Sequence, residues 1–216
     1  TFLPETIPAI DGWDMNLRWR TAREVGGDFY DVFLNRKKQL SFVIADVSDK
    51  GMPAALYMTV TRTLIRSAAQ SMDSPAEVLK RVNELLEMDT QNGMFVTAIY
   101  ATLDQHTGLL TYVNAGHNLP LLLRSETGKV ERLRKGAIAL GVISKADYQD
   151  CRIQIDPGDS LLFYTDGVTE TFSLGGEIFG EERLFQALAS SNVQSAEELL
   201  EELENEINTF RQGEAP

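Results

Sequence analysis

The order in which two periodicities alternate along the chain constrains its fold more than any other feature. Strand patterns come first, then one pair of helices, then a long run of hairpin-sized strands, then helices again. A period of two marks a half-buried strand and a period near 3.6 an amphipathic helix, so the switches between them set the architecture. Residues 13–20, W-D-M-N-L-R-W-R, alternate strictly, with Trp13, Met15, Leu17 and Trp19 on one face, and are expected to form a strand. Further strands are expected over 29–34 and 39–45, the second nearly all apolar and ending at Asp46. From Pro53 to Gln70 the pattern is helical. Ser74-Pro75-Ala76-Glu77 then combines an N-cap serine, a proline at the first helical position and a glutamate three residues after the cap, which predicts a second helix to Met88. Strand patterns resume over 94–103, 109–114, 119–124, 129–134, 150–156 and 160–165, separated by turn signals such as Thr107-Gly108 and Asp156-Pro157-Gly158-Asp159. Helices over 181–189 and 195–210 close the chain, the latter with an acidic run expected to be a solvated face. Hairpins imply antiparallel pairing, and the grouping of elements indicates α+β rather than a doubly wound sheet.

The 216 residues are read as one domain, 1–216, with a sizeable core. Twenty Lys and Arg against 32 Asp and Glu leave a formal charge of −12, which argues against gripping nucleic acid or an anionic membrane and favours cations. A single cysteine, Cys151, and two histidines cannot build a disulfide framework or the usual zinc cages, and they fit a reducing compartment, by default the cytoplasm. No apolar run is long enough to span a bilayer, and the start TFLPETIP is not a signal peptide. The lack of an initial Met leads to the expectation of an excerpt from a longer protein. No Walker-type nucleotide loop is present in the sequence.

Three acidic positions are placed by glycine or by a strand end. Gly26-Gly27-Asp28-Phe29-Tyr30-Asp31 sets two carboxylates beside a glycine pair, Val43-Ile44-Ala45-Asp46 delivers an acid into a polar turn, and Ser160–Thr165 ends in Asp166-Gly167. Each alone reads equally as an ordinary turn or cap. Jointly, strands of one scaffold can bring their terminal acids together, and converging carboxylates need protons or divalent cations to neutralise them. An all-oxygen donor set without His or Cys favours Mg²⁺ or Mn²⁺.

The segments EVGGDFYD (24–31), IADVSDKGMPAAL (44–56), YVNAGHNLPLLL (112–123), LLFYTDGVTETF (161–172) and IFGEERL (178–184), in this order, resemble the SpoIIE/RsbU-type branch of the metal-dependent protein phosphatases, relatives of the type 2C enzymes. The resemblance implies a central antiparallel β-sandwich flanked by helices and a site for two divalent cations, Mn²⁺ or Mg²⁺. It places Asp28, Asp46 and Asp166 as metal-binding and catalytic acids and Val47 as a ligand through its backbone carbonyl. Asp31 and Glu170 fall on motif positions as supporting residues, and Arg23 stands where wider relatives carry a phosphate-holding arginine. His117, in Asn114-Ala115-Gly116-His117-Asn118, reads as part of a structural turn, and Cys151 as a core residue.

The implied activity is hydrolysis of phosphoserine or phosphothreonine by water activated between two metal ions. The implied substrate is a phosphorylated STAS-domain antagonist of an anti-sigma factor, with an N-terminal sensor domain in the full-length chain and a homodimer allowed. Relatives continue into a further strand that supplies another metal ligand, so for residues 1–216 alone the expectation is weak metal affinity. A catalytically degenerate domain that only binds its partner is the alternative. A receiver-like phosphoacceptor is disfavoured by the lack of βα alternation.

Overall fold

The computed structural model describes residues 4, 6–20, 26–89, 93–134 and 136–212. Along the chain these form β1 (Phe29–Leu34), β2 (Leu40–Val47), α1 (Met52–Ala69), α2 (Pro75–Asp89), β3 (Val96–Asp104), β4 (Leu109–Ala115), β5 (Leu121–Leu123), β6 (Val130–Arg132), β7 (Cys151–Gln154), β8 (Ser160–Leu162), α3 (Asp166–Thr169), α4 (Gly180–Ser190) and α5 (Ala196–Gln212). The chain divides into two compact units, one built on Arg20–His117 and Arg134–Ile155, the other on Ala9–Trp19, Asn118–Leu133 and Asp156–Pro216.

The first unit holds a five-stranded sheet in the order β1-β2-β3-β4-β7, antiparallel at every pairing. Because side chains alternate across a strand, the register divides the sheet into two faces. On one face Phe29, Asp31 and Phe33 stand beside Val43 and Ala45, followed across the sheet by Ala98, Tyr100 and Val113. This face forms one buried cluster with Ala54, Met58, Ile65 and Ala68 of α1 and Val78, Leu79, Val82 and Leu86 of α2. Burying side chains of this size contributes about 1.5–3 kcal/mol each, so this layer holds β1 and β2 against α1 and α2. The other face carries Tyr30, Phe42, Ile44, Asp46, Thr97 and Ile99.

The helix signals in the sequence are realised. Pro53 stands in the first turn of α1, whose N-cap is Gly51 at φ 84°. At α2 the Ser74 hydroxyl accepts the Glu77 N–H at 3.3 Å while the Glu77 carboxylate accepts the Ser74 N–H at 3.3 Å, a reciprocal capping box. Asn83, buried on α2, donates to the Ile143 carbonyl at 2.9 Å and accepts the Gly141 N–H at 2.8 Å, which pins the 141–144 loop to the helix.

The second unit contains the three-stranded antiparallel sheet β6-β5-β8. Leu121 and Leu162 pack with Tyr164, Phe179, Leu184 and Leu188, and with Leu199 and Leu203 of α5. Glu197, Glu198, Glu201 and Glu202 are exposed, so the acidic run is a solvated face as expected.

Two expectations change. Residues 13–20 form no strand: Trp13 makes an isolated bridge to Ile10, although Trp13, Met15, Leu17 and Trp19 are half-buried as the alternation requires. The Asn16 side-chain oxygen accepts the Leu17 N–H at 2.7 Å and an Arg18 N–H at 2.9 Å, a local bond that competes with a ladder. Cys151 is half-buried on the edge strand β7 rather than in the core.

Candidate metal centre

β1 and β2 pair antiparallel with Phe29 opposite Ala45. Continued by one step, that register sets Asp28 opposite Asp46, and by a second step Gly27 opposite Val47. The second step is realised in the packing: a Cβ built on Gly27 would lie 2.9 Å from the Val47 carbonyl oxygen and 3.0 Å from the Val47 Cβ. Only a residue without a side chain lets the chain entering β1 run this close to the end of β2. The Gly26-Gly27 pair is therefore more than a turn, since its second member is what admits Asp28 to the rim of the sheet.

Asp28 and Asp46 are both half-buried, and the same continuation of the register puts Asp28 on the face of Asp46, away from α1 and α2. Like charges directly opposite on neighbouring strands repel, and a cation relieves that repulsion. The donors assembled here, two carboxylates and the Val47 carbonyl, are all oxygen, as Mg²⁺ or Mn²⁺ requires. The close passage at Gly27 is the structural observation that fits such a group. Among the described residues no group of three or more His, Cys, Asp or Glu could by itself hold a metal ion.

Asp31, expected as a supporting residue, occupies the opposite face. It is three positions from Asp28, an odd step, so it points toward the helices and is 1% exposed. Two cations of α1 meet it there. Arg66 reaches Oδ2 through Nε at 2.5 Å and Oδ1 through Nη2 at 2.7 Å, and Arg62 Nε stands 3.0 Å from Oδ2. The Arg66 guanidinium also lies 4.8 Å from the centre of the Phe33 ring. The hydrogen bond to Asp31 raises the Arg66 pKa against the opposing effect of burial. Asp31 anchors α1 to β1.

Asp166 and Glu170 belong to the second unit. Asp166 stands past the end of β8 as the first residue of the single-turn helix α3, and its carbonyl accepts the Glu170 N–H at 2.7 Å where the turn closes. Arg23 lies outside the described residues.

Two residues that the sequence reading left out of the site stand beside it. Thr97 faces Asp46 across the β2–β3 pairing. Its hydroxyl lies 2.9 Å from His117 Nδ1 and 3.5 Å from the Asp46 carbonyl oxygen. His117 is 4% exposed, and its backbone N–H and carbonyl bond both ends of the Asn114 amide, at 2.8 and 3.1 Å. The turn expected around His117 is therefore present, and in addition it delivers the imidazole to Thr97. No local signal marks Thr97, because its neighbour Asp46 is set by strand pairing.

The family model for stage II sporulation protein E (SpoIIE) matches residues 36–216. Protein IcfG of Synechocystis sp. is 32% identical, the match covering 95% of this chain and 36% of that protein. Phosphoserine phosphatase RsbU of Bacillus subtilis is 29% identical over 79% of this chain and 50% of its own length. The chain thus spans half or less of these relatives. The solved SiaA-PP2C domain of Pseudomonas aeruginosa superposes with a TM-score of 0.75 at 21% identity, covering 87% of this chain and 75% of that one. The fold, antiparallel sheets flanked by helices, is that of type 2C phosphatase domains.

Proposed function

The chain belongs to the SpoIIE/RsbU branch of the metal-dependent protein phosphatases, and from that premise we propose that it is a protein serine/threonine phosphatase whose cations are held at the Asp28–Asp46 rim. The observation that supports the reading is the close approach of Gly27 to the Val47 carbonyl, 2.9 Å from a Cβ built there, beside the strand ends that carry Asp28 and Asp46.

Two divalent cations, when bound, would supply an acidified water and positive charge for the phosphoryl oxygens. Asp28 and Asp46 would bind them through carboxylate oxygens and Val47 through its carbonyl, while Gly27 keeps these donors close. For Asp166 the support is its match to the Asp-Gly motif. The rigid α1–α2 layer beneath β1 and β2 preorganises the rim. Asp31, held by Arg62 and Arg66, fixes that layer.

The name phosphoserine phosphatase RsbU supports a phosphoserine protein as substrate, and the resemblance supports a phosphorylated STAS-domain antagonist of an anti-sigma factor. A sensor domain preceding this segment and a cytoplasmic site of action complete the proposal. Among the described residues no helix is long and apolar enough to cross a membrane, and the charge of −12 disfavours a nucleic-acid partner.

The test is hydrolysis of a phosphoserine STAS-domain protein with Mn²⁺ added or chelated. The expected result is turnover that needs Mn²⁺ and disappears in Asp46→Asn. Equal turnover in EDTA, or in Asp46→Asn, would sink the reading.

A further inference from the structure

Thr97 Oγ1 lies between two groups, 2.9 Å from His117 Nδ1 and 3.5 Å from the Asp46 carbonyl oxygen. A hydroxyl has one proton to donate, so the imidazole tautomer decides where it goes. If Nδ1 is bare, the hydroxyl donates to it and gives no proton to the Asp46 carbonyl. If Nδ1 carries the proton, the imidazole donates to Oγ1 and the hydroxyl is free to donate to Asp46, so both contacts become hydrogen bonds. The second arrangement makes one more bond in a place where His117 is 4% exposed and an unmade bond is costly. Donation from the imidazole also polarises the hydroxyl and strengthens its own donation.

We propose that His117 carries its proton on Nδ1 and holds the Thr97 hydroxyl as a donor to the Asp46 carbonyl, which makes Thr97 and His117 positioning residues for the cation-binding rim. The proposal rests on Asp28 and Asp46 being cation ligands. The planar peptide that contains the Asp46 carbonyl runs from the Asp46 Cα to the Val47 Cα. From those two atoms spring the Asp46 carboxylate and the Val47 carbonyl, the two donors of β2. Fixing that plane from β3 fixes both. The imidazole is itself fixed, because the Asn114 amide holds its backbone at both ends, at 2.8 and 3.1 Å. A chain of bonds thus joins the β4 turn through β3 to the rim. Outer partners that orient ligands in this way are worth about 10–100-fold in metal affinity.

Two measurements test the proposal on the chain without metal and with Mn²⁺. Nitrogen-15 spectra of the metal-free protein report the His117 tautomer directly, and the expected signal is a protonated Nδ1; a protonated Nε2 with bare Nδ1 overturns the proposal. Calorimetric titration with Mn²⁺ is then compared among the parent, Thr97→Ser, Thr97→Val, His117→Phe and Asp46→Asn. Thr97→Val and His117→Phe are expected to bind about tenfold more weakly, and Thr97→Ser, which keeps the hydroxyl, within about threefold of the parent. Melting curves in EDTA accompany each titration, and a variant that melts early is set aside in favour of the spectrum. If Asp46→Asn abolishes binding while Thr97→Val and His117→Phe match the parent, or if Thr97→Ser falls as far as Thr97→Val, the positioning role fails and the metal centre stands. If Asp46→Asn binds as the parent does, the metal centre itself fails.

Discussion

Asp28 and Asp31 lie three residues apart on one run of backbone, yet they meet opposite electrostatic surroundings. Asp31 faces the helices, is 1% exposed and is held by Arg62 and Arg66. Asp28 precedes β1, and the β1–β2 register continued by one step opposes it to Asp46 on the other face. The odd spacing alone separates them, because each step along a strand reverses the face. One carboxylate is neutralised by two arginines of α1, and the other stands at the rim proposed to bind cations. That contrast is how the same side chain serves packing in one place and ligand binding in the other.

The largest expected effect breaks the ligand side of this contrast. Asp28→Asn should reduce Mn²⁺-dependent phosphatase turnover on the order of a thousandfold, since it removes a cation donor. At the same time it should raise the metal-free unfolding midpoint slightly, because a like-charge pair across strands costs up to about 1 kcal/mol. A metal-free midpoint that falls would contradict the repulsion argued for this rim.

Asp31→Ala attacks the packing side and should do the reverse, costing stability whether or not metal is present. Breaking a fully buried pair costs about 3–5 kcal/mol, but the Arg62 and Arg66 side chains are 21% and 42% exposed and can rehydrate. We expect about 2 kcal/mol by urea unfolding. A loss below about 0.5 kcal/mol would mean that α1 is held by its apolar contacts alone.

Gly27→Ala tests the passage between the two. A methyl 2.9 Å from the Val47 carbonyl oxygen must push β1 from β2, at a cost of about 1–3 kcal/mol with weakened Mn²⁺ binding. At Gly26 the nearest atom to an added Cβ is 4.0 Å away, so Gly26→Ala should be nearly neutral. Equal effects at both positions would remove the argument for a close passage. Smallest of all, Leu174→Ser in the second unit, where Leu174 is 83% exposed, should stay within about 0.5 kcal/mol of the parent.

Much of the fold is legible in the sequence where the determinants are local. The expected strand over 29–34 is β1 to the residue, and Ser74 and Glu77 form the capping box their spacing announces. The strand expected over 13–20 fails for an equally local reason, the Asn16 side chain, whose strength relative to a ladder cannot be weighed from alternation. The site is legible in its acids and less so in their roles. F-Y-D-V-F-L offers apolar residues on both faces, so nothing in the pattern says which face the helices will cover. Asp31 therefore reads as a supporting residue of the metal site, and the pattern gives no sign of the Arg62 and Arg66 contacts it makes.

By itself the sequence determined most of the elements, their antiparallel pairing, the family, and the chemistry its oxygen donors can support, because periodicity, caps and motifs act over a few residues. Tertiary structure alone decided which face each acid joins, that Gly27 rather than Gly26 is the close contact, and that Thr97 and His117 stand beside Asp46. Those outcomes depend on pairings between residues tens of positions apart, and register across a sheet is fixed by the packing of its buried face rather than by any one strand.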